Sequence, residues 1–579
     1  MFDTRKVDWS LFKKSGYLLT FSLLTLFTFP VLYFFRGLDD NRLTSWQWIF
    51  AGTDASTLFV IHVLGVIVLI ATSRIPFPER RSSVFLFLFS CILSAPFWRV
   101  PEVIVDASRY FTQAKYLEVY GIEFFSREWG KAILAWTDLP LVPFLYGLIF
   151  KFFGENRFAI QLFNTVLFSV TVVLTARIGK ELWDEETGFY GGMLLLGIPY
   201  LFVQVPLMLV DVPTMFFFTL AVFTFLKALA SNGQTTILAA SASLFLALFS
   251  KYSTWPMLSI LVVILFVYIR CQELAGSNHV FVRGLVTFLS AALLVGVIVF
   301  YRFDAISEQL RLLMGYQRPG LGRWAESFIS TFFFQIHPFI SLCAVISLWS
   351  AIRRRDPKYL IICWLPLLLI LFQIKRIRYT IPLFPMVTLM ASYGLRQIEN
   401  RELKRFMISC IVMVSFTVAL FAYLPFTQKM SAANLKKAGE FLNTLDEDTV
   451  EVYTIMSKEP VLNPVVEVPL LDLYAHKKIV YHGEFSAPLE GDIQSSPLRF
   501  TWEYRNPSYY ALKDGCSDHK MAVVVISGEG EEHLPYALVQ ELRHYRQIKR
   551  FDADEGVFEH KTFVSVYRQN ASSFDETSN

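Results

Sequence analysis

Long apolar runs recur along most of this chain, and they limit its possible folds more than any other feature. Runs of about 16 to 22 residues follow one another from Tyr17 to Phe426. A bilayer core of roughly 30 Å needs about 20 apolar residues per helix, so the runs predict transmembrane helices. Only 18% of the 579 residues are charged, against roughly 25% in soluble chains. A soluble enzyme, a secreted disulfide scaffold and a disordered protein are therefore excluded, and the formal charge of +4 is too small to indicate nucleic acid.

The apolar runs predict about thirteen membrane spans and an orientation. The first span follows the basic residues Arg5 and Lys6, so we expect a retained signal anchor with a cytoplasmic N-terminus in a plasma or inner membrane. An odd number of spans then places the C-terminus on the other side. The predicted spans are 17–35, 56–73, 83–98, 158–178, 188–209, 213–230, 236–250, 256–270, 281–301, 329–349, 358–374, 380–395 and 406–424.

Composition divides the chain into three parts. Residues 1–82 carry two additional N-terminal helices, residues 83–424 form a transmembrane core, and residues 425–579 form a domain of soluble composition. In this last part, alternating strand and helix patterns predict an extracytoplasmic α/β domain. A lid or acceptor-binding role and a purely structural role both stay open for it. The predicted elements are helices over 434–445 and 534–545 and strands over 450–455, 521–526 and 563–567.

Several charged residues lie where a plain helical bundle needs only short turns. The predicted outer loop 99–157 contains Asp106 and a stretch, 141–153, that is too short to span and is expected at the membrane interface. Asp211, Lys251 and the segment 373–379 fall on the same predicted side. A single lysine or arginine there could reach the lipid headgroups, and Asp211 could cap a helix. Together, the carboxylates and cations predict one outward cleft that suits a lipid-linked phosphate.

The same residues carry a resemblance to a known family. Asp106-Ala107-Ser108-Arg109-Tyr110 follows the first core helix, Asp138-Leu139-Pro140-Leu141 comes next, and Phe153-Gly154 with Arg157 opens the following helix. Asp211-Val212-Pro213, Phe249-Ser250-Lys251 and Arg378-Tyr379 with Pro382 and Pro385 complete the order. In this order, the motifs resemble those of the polytopic glycosyltransferases that use polyprenyl-phosphate sugars, which include the protein O-mannosyltransferases and the lipid A aminoarabinose transferases.

This resemblance implies a GT-C-like membrane fold followed by the soluble α/β domain. It covers about residues 83–395, and the sequence departs from the family pattern at two motifs. Ala107 stands where the family has a second carboxylate, and Asp138-Leu139-Pro140 stands where it has His-Pro-Pro. These departures indicate a substrate pocket that differs from those of well-known members.

The resemblance implies that the chain transfers a sugar from a polyprenyl-phosphate donor to a protein, lipid or glycan acceptor on the non-cytoplasmic face, with inversion at the sugar. Asp106 is the expected catalytic base, since one carboxylate suffices to take the acceptor proton. Cations are expected to hold the departing phosphate. The expected substrate-binding residues are Lys251, Arg376 and Arg378 for the phosphate, Tyr110 and Tyr379 for sugar or lipid, Asp211 for the acceptor, and Arg109 and Asp138 by their motif positions.

No cofactor is expected. Some polytopic glycosyltransferases use a divalent metal, but no ligand set with metal spacing is evident here, so we expect none to be essential. Two other classes remain open, a multi-pass transporter and a noncatalytic cell-envelope scaffold. A transporter should show an internal repeat, and neither class requires Asp106, Lys251 and Arg378 to lie together.

Overall fold

A computed structural model describes the chain from Trp9 to Asn570. It leaves out residues 40–45, 74, 76, 79–80, 232, 272–273, 318–326, 431, 458–459, 484–495, 512–520, 529–533 and 554–559. Arg5 and Lys6, two of the basic residues behind the predicted cytoplasmic N-terminus, lie outside the described residues.

Most of the described residues up to Thr427 are helical. The described α-helices of this part are Trp9–Phe35, Ala55–Thr72, Ser82–Ser94, Ile104–Glu128, Leu141–Phe153, Arg157–Leu182, Glu185–Leu195, Pro199–Gln204, Asp211–Ala230, Gln234–Leu248, Thr254–Met257, Ser259–Cys271, Leu274–Tyr301, Phe303–Leu312, Pro338–Arg354, Tyr359–Leu371, Ile377–Thr380, Phe384–Leu395, Arg401–Val418 and Leu424–Thr427.

Eight helices among the described residues are long and apolar enough to cross a membrane. The chain is therefore an integral, multi-pass membrane protein, while the count of thirteen spans stays a prediction. The spans differ in burial: Asp211–Ala230 is 72% buried, whereas Ala55–Thr72 and Ser277–Tyr301 are each 17% buried. The weakly buried helices present apolar side chains outward, as lipid contact requires.

Close helix packing in the core depends on small residues. The helices Arg157–Leu182 and Glu185–Leu195 pack against each other where Gly179 meets Gly188. A Cβ atom added at Gly188 would lie 2.1 Å from the carbonyl oxygen of Ala176. Only glycine permits this approach, as is common between membrane helices.

The structure differs from the predicted spans at one point that matters for the site. The run 188–209 is not one helix, because helix Glu185–Leu195 ends before Gly197 and a short helix, Pro199–Gln204, follows. Proline favours the first turn of a helix and ends a preceding one. The remaining residues of the run form the irregular segment that leads into Asp211.

The described residues after Thr427 form a C-terminal domain with a five-stranded sheet. Its strands are β1 (Thr449–Ile455), β2 (Lys478–Tyr481), β3 (Met521–Ser527), β4 (Tyr545–Phe551) and β5 (Phe563–Gln569), in the order β2-β1-β3-β5-β4. β1 pairs with β2 and β3 in parallel, and β5 pairs with β3 and β4 antiparallel. Helices Ala432–Leu442, Glu467–Tyr474 and Tyr536–Glu541 accompany the sheet. The predicted α/β class is confirmed.

Two details of the C-terminal domain differ from the sequence prediction. The helix predicted over 534–545 ends at Glu541, because the chain turns at Leu542–His544 and Tyr545 begins strand β4. β2, β4 and the helix Glu467–Tyr474 were not predicted. The helix Glu467–Tyr474 is the element that packs against the helix Ile104–Glu128 of the core.

A buried lysine joins the C-terminal domain to the core. The ammonium of Lys115, in helix Ile104–Glu128, lies 2.5 Å from Asp472 Oδ2 and 2.7 Å from Glu155 Oε1. Tyr510 donates a hydrogen bond to the same Asp472 oxygen over 2.7 Å. Burial raises the pKa of Asp472 and that of Glu155 to about 7, because Lys115 offsets only part of the cost of desolvation.

Replacing this lysine should loosen the domain contact in a pH-dependent way. Lys115→Met leaves the buried Asp472 and the partly buried Glu155 without their cation, and breaking a buried ion pair typically costs about 3 to 5 kcal/mol of unfolding free energy. Because burial raises the pKa of both carboxyl groups to about 7, their contribution to stability is favoured at low pH and lost as pH rises through about 7. Without the Lys115 ammonium both pKa values rise further, so the variant loses more stability than wild type and the difference in thermal midpoint should grow from pH 6 to pH 8.

The measurement is thermal unfolding of detergent-solubilised protein followed by tryptophan fluorescence. Lys151→Met, which removes an exposed lysine from helix Leu141–Phe153, is the matched control and should shift the midpoint little. A Lys115→Met midpoint that stays within one degree of the control at pH 8 would show that this ion pair does not join the domains.

Candidate functional site

Two cations converge on one buried carboxylate at the start of a membrane helix. Asp211 begins helix Asp211–Ala230 and is only 2% exposed. Lys251 Nζ lies 2.6 Å from its Oδ1, and Arg378 Nε lies 2.6 Å from its Oδ2. Each carboxylate oxygen thus has its own cationic donor, which offsets the cost of burying the charge.

Arg378 also connects this pair to the predicted base. Its Nη1 donates a hydrogen bond to Asp106 Oδ2, so one guanidinium bridges two carboxylates. The Asp106 side chain is 24% exposed, whereas that of Asp211 is 2% exposed. Asp106 is therefore the carboxylate that a ligand can reach, and Asp211 is the one that holds the cations.

An aromatic ring completes what we call the Arg378 cluster: Asp106, Asp211, Lys251, Arg376, Arg378 and Tyr379. Lys251 Nζ lies 4.9 Å from the centre of the Tyr379 ring, and the Arg376 guanidinium carbon lies 5.5 Å from it. The ring thus keeps both cations beside the carboxylates by cation–π attraction. Three cations next to a partly exposed carboxylate suit a ligand with a phosphate and a hydroxyl group.

Local backbone structure places these cations. Helix Tyr359–Leu371 is followed by Gln373, whose φ of +54° turns the chain sharply before Arg376. Arg378 then lies in the short helix Ile377–Thr380, ahead of the prolines that open the next helix. Lys251 comes after helix Gln234–Leu248, and its carbonyl oxygen accepts hydrogen bonds from the Thr254 amide and hydroxyl over 3.1 and 2.6 Å.

The other predicted residues form a neighbouring group, the Asp138 cluster. Arg109 Nη1 lies 3.1 Å from Asp138 Oδ2, and the Tyr110 hydroxyl donates to Asp138 Oδ1 over 3.2 Å. Gln309 Nε2 donates to the Asp138 carbonyl oxygen over 2.6 Å. Tyr110 is only 3% exposed, so its hydroxyl is occupied inside the protein; the sugar or lipid contact expected of Tyr110 and Tyr379 stays a prediction.

The two clusters give their carboxylates opposite acidities. Burial raises the pKa of Asp106, but the guanidinium groups of Arg378 and Arg109 lower it by more, so its net pKa lies below the ordinary value. Burial also raises the pKa of Asp138, and there Arg109 offsets only part of the effect. Asp106 is accordingly ionised at neutral pH, as a proton acceptor has to be.

Glu102 was not among the predicted site residues, although it binds the segment that leads into Asp211. Glu102 is fully buried, pairs with Arg157 over 2.9 Å, and accepts a hydrogen bond from the Met208 amide over 2.8 Å. Met208 lies in the irregular segment that leads into Asp211. Arg157 belongs to one of the family-like motifs. Its partner Glu102 could have been noticed in the sequence because it is a carboxylate only four residues before Asp106.

A second missed residue comes from the C-terminal domain. The Tyr504 hydroxyl accepts a hydrogen bond from Arg109 Nε over 3.0 Å and donates one to the Val105 carbonyl oxygen over 2.9 Å. No local pattern in the tail distinguishes this tyrosine from its neighbours Tyr509 and Tyr510.

The site residues do not fit a metal ion. Asp106, Asp211 and Asp138 are all paired with lysine or arginine. In the described part of the chain, no group of three or more His, Cys, Asp or Glu residues is placed to hold one. Independence from metal stays a prediction.

Comparison with known proteins supports the resemblance seen in the sequence. Residues 138–298 match the family described as dolichyl-phosphate-mannose-protein mannosyltransferase. This segment contains Asp138, Asp211 and Lys251, while Asp106 and Arg378 lie on either side of it. Among curated proteins, no match is found.

Solved structures show the fold. ArnT from Cupriavidus metallidurans bound to undecaprenyl phosphate matches with a TM-score of 0.53 and 14% identity, over 83% of this chain and 97% of that chain. Its apo state matches with a TM-score of 0.51 and 13% identity over the same shares. The archaeal oligosaccharyltransferase AglB from Archaeoglobus fulgidus gives a TM-score of 0.43 at 11% identity, over 69% of this chain and 64% of that chain. The ArnT matches confirm the predicted GT-C-like fold class.

The lowered pKa of Asp106 predicts a pH effect on stability. Its ionised form stabilises the folded state above the ordinary carboxyl pKa near 4, and this contribution is lost as pH falls through the folded-state value. Wild type should therefore be more stable than Asp106→Asn at pH 6, and the difference should shrink towards pH 3.5. Thermal midpoints of both proteins across this range provide the measurement. A difference that is constant with pH would show that Arg378 does not stabilise the ionised carboxylate.

Proposed function

We propose that this chain is an integral-membrane glycosyltransferase that moves a sugar from a polyprenyl-phosphate donor to an acceptor on the non-cytoplasmic side. The observation that carries the proposal is the bridge from Arg378 to both Asp106 and Asp211, with Lys251 on the far side of Asp211. In this proposal the N-terminus is cytoplasmic, and the C-terminal domain lies with the site on the opposite side. The family match over 138–298 and the fold shared with undecaprenyl-phosphate-bound ArnT support it.

The donor phosphate would bind at the three cations of the Arg378 cluster. Lys251 and Arg378 have side chains 18% and 13% exposed, so they are shielded from bulk water and yet accessible. Electrostatic attraction is stronger in such surroundings than in water. The guanidinium groups match phosphate geometry, while the Lys251 ammonium adds a point charge.

Asp106 would act as the base in an inverting displacement. The acceptor hydroxyl oxygen bonds to the anomeric carbon as the bond from that carbon to the phosphate oxygen breaks. The hydroxyl proton passes to the Asp106 carboxylate, and the bonding electrons leave with the phosphate. The cations then stabilise the negative charge that develops on the leaving group.

The Arg378 bridge would link donor binding to the strength of this base. While paired with Arg378, Asp106 has a low pKa and is a weak proton acceptor. A bound phosphate anion partly neutralises the same guanidinium, so the pKa of Asp106 rises towards its ordinary value. General bases work best when their pKa lies near the operating pH. The base would thus strengthen once the donor is in place.

The two alternative classes account less well for this arrangement. A transporter or a noncatalytic scaffold requires neither a partly exposed carboxylate nor a group of cations around it. Neither class gives a reason for Asp106, Lys251 and Arg378 to lie together, and a chain of direct contacts through Asp211 joins them.

The decisive experiment is transfer of labelled sugar by purified protein from defined polyprenyl-phosphate donors. We expect turnover by wild type and a loss of about 10²- to 10⁴-fold in Asp106→Asn, the usual contribution of a general base. Asp304→Asn, at an exposed carboxylate, is the matched control and should keep wild-type turnover. Unchanged turnover in Asp106→Asn would remove Asp106 as the base, and no transfer by wild type from any donor tested would contradict the proposed function.

Binding of the lipid carrier tests the phosphate site separately. Lys251→Gln should weaken binding of undecaprenyl phosphate roughly tenfold, since it removes one charged hydrogen-bond donor. The uncharged polyprenol of equal length should bind wild type and variant alike. Lys131→Gln, at an exposed lysine, serves as the protein control. Equal affinity of wild type and Lys251→Gln for the phosphate would place the phosphate elsewhere.

A further inference from the structure

One side chain of the C-terminal domain reaches the segment that carries Asp106. Tyr504 is 8% exposed, and its hydroxyl lies between two groups of the core. It accepts a hydrogen bond from Arg109 Nε over 3.0 Å and donates one to the Val105 carbonyl oxygen over 2.9 Å. Val105 immediately precedes Asp106, so the domain contacts the backbone from which the proposed base projects.

The C-terminal domain holds Tyr504 in place through a buried asparagine. Asn463 is 0% exposed, and its Nδ2 donates to the carbonyl oxygens of Thr501 and Tyr504 over 3.1 and 2.9 Å. Its backbone amide donates to the Thr501 hydroxyl over 3.0 Å. The segment 501–504 is thus fixed from within the domain before it meets the core, as a preorganised contact requires.

Tyr504 also determines how Arg109 is oriented. The guanidinium of Arg109 is bound at Nε by Tyr504 and at Nη1 by Asp138, so two of its edges are fixed. Its central carbon lies 5.7 Å from the centre of the Tyr504 ring. Held in this orientation, the charge of Arg109 acts on Asp106, one helical turn away.

Tyr504 is one of several contacts between the domain and the core. The Tyr474 hydroxyl accepts a hydrogen bond from the Glu102 amide over 2.9 Å, and Lys115 pairs with Asp472. Lys436 donates to the Arg99 carbonyl oxygen over 3.0 Å. These contacts join the same two parts of the chain elsewhere, so the Tyr504 contacts are not needed for docking alone.

We propose that Tyr504 is a positioning residue for the transfer reaction: it aligns Arg109 and the backbone at Asp106. The C-terminal domain therefore completes the active site from outside the membrane core. The expected effect on the transfer rate rests on the proposed function. The ordering of Arg109 and of the backbone at Asp106 by Tyr504 can be measured without it.

The test compares Tyr504→Phe with Tyr474→Phe. Both variants remove one tyrosine hydroxyl from the contact between domain and core, and both keep the ring. Tyr504→Phe should lower kcat about tenfold, as expected when a hydrogen bond that orders the transition state is lost, with the KM for donor within twofold of wild type. Tyr474→Phe should keep kcat within twofold. Loss of a contact that serves only to attach the domain would not lower kcat while leaving the KM for donor unchanged.

Two further measurements sharpen the test. In hydrogen–deuterium exchange, the peptide that covers 103–110 should exchange at least threefold faster in Tyr504→Phe than in Tyr474→Phe. Arg109→Lys removes the Nε donor from the other side, so adding Tyr504→Phe to it should lower kcat by less than in the wild-type background.

Equal kcat in the two tyrosine variants, or unchanged exchange at 103–110, would overturn the positioning role. Full additivity of Tyr504→Phe with Arg109→Lys would overturn the part of it that acts through Arg109. If wild type transfers no sugar, the proposed function fails, and the exchange measurement alone decides whether Tyr504 orders the Asp106 segment.

Discussion

The shared guanidinium of Arg378 is the interaction on which the site depends. Asp211 is buried at the head of a membrane helix, where an unpaired carboxylate would be very costly. Lys251 and Arg378 offset that cost, and Arg378 donates a second hydrogen bond, from Nη1, to Asp106. Four segments that are up to 272 residues apart in the chain are thereby fixed at one point. Because these residues share their hydrogen bonds, we expect the loss of one charged side chain to leave another without its partner.

Much of this site could be predicted, because membrane sequences make charge conspicuous. Asp106, Asp211, Lys251 and Arg378 all lie next to apolar runs on one predicted side of the membrane, and as a group they indicate a site although none of them does so alone. Their order along the chain then indicates the fold. The ion pairs themselves cannot be predicted from the sequence. No residue next to Arg378 indicates that it bridges Asp106 and Asp211 rather than reaching the lipid headgroups. That bridge exists only once the helices have packed.

The missed residues share a different cause. Glu102 and Tyr504 lie outside the apolar runs, in segments where polar residues are common and their burial cannot be inferred from periodicity. Tyr504 is one of several tyrosines in a soluble domain, and its importance arises from a contact nearly 400 residues away in sequence. The predicted span 188–209 was wrong for a related reason. Its hydropathy is continuous, but the helix is interrupted at Gly197 and Pro199. Composition predicts where elements lie, and tertiary contacts decide where they end.

In the proposed function, the C-terminal domain and the membrane core both contribute to the site. The core supplies Asp106, Asp211, Lys251 and Arg378, which lie close to helix ends. The domain supplies the neutral hydroxyl of Tyr504, which holds Arg109 by a hydrogen bond. A negatively charged support would compete with a phosphate for the same cations, whereas a neutral hydroxyl does not. Tyr504 can therefore hold Arg109 without reducing the positive charge that a phosphate would meet, whereas the carboxylate of its neighbour Glu503 interacts electrostatically with Arg109.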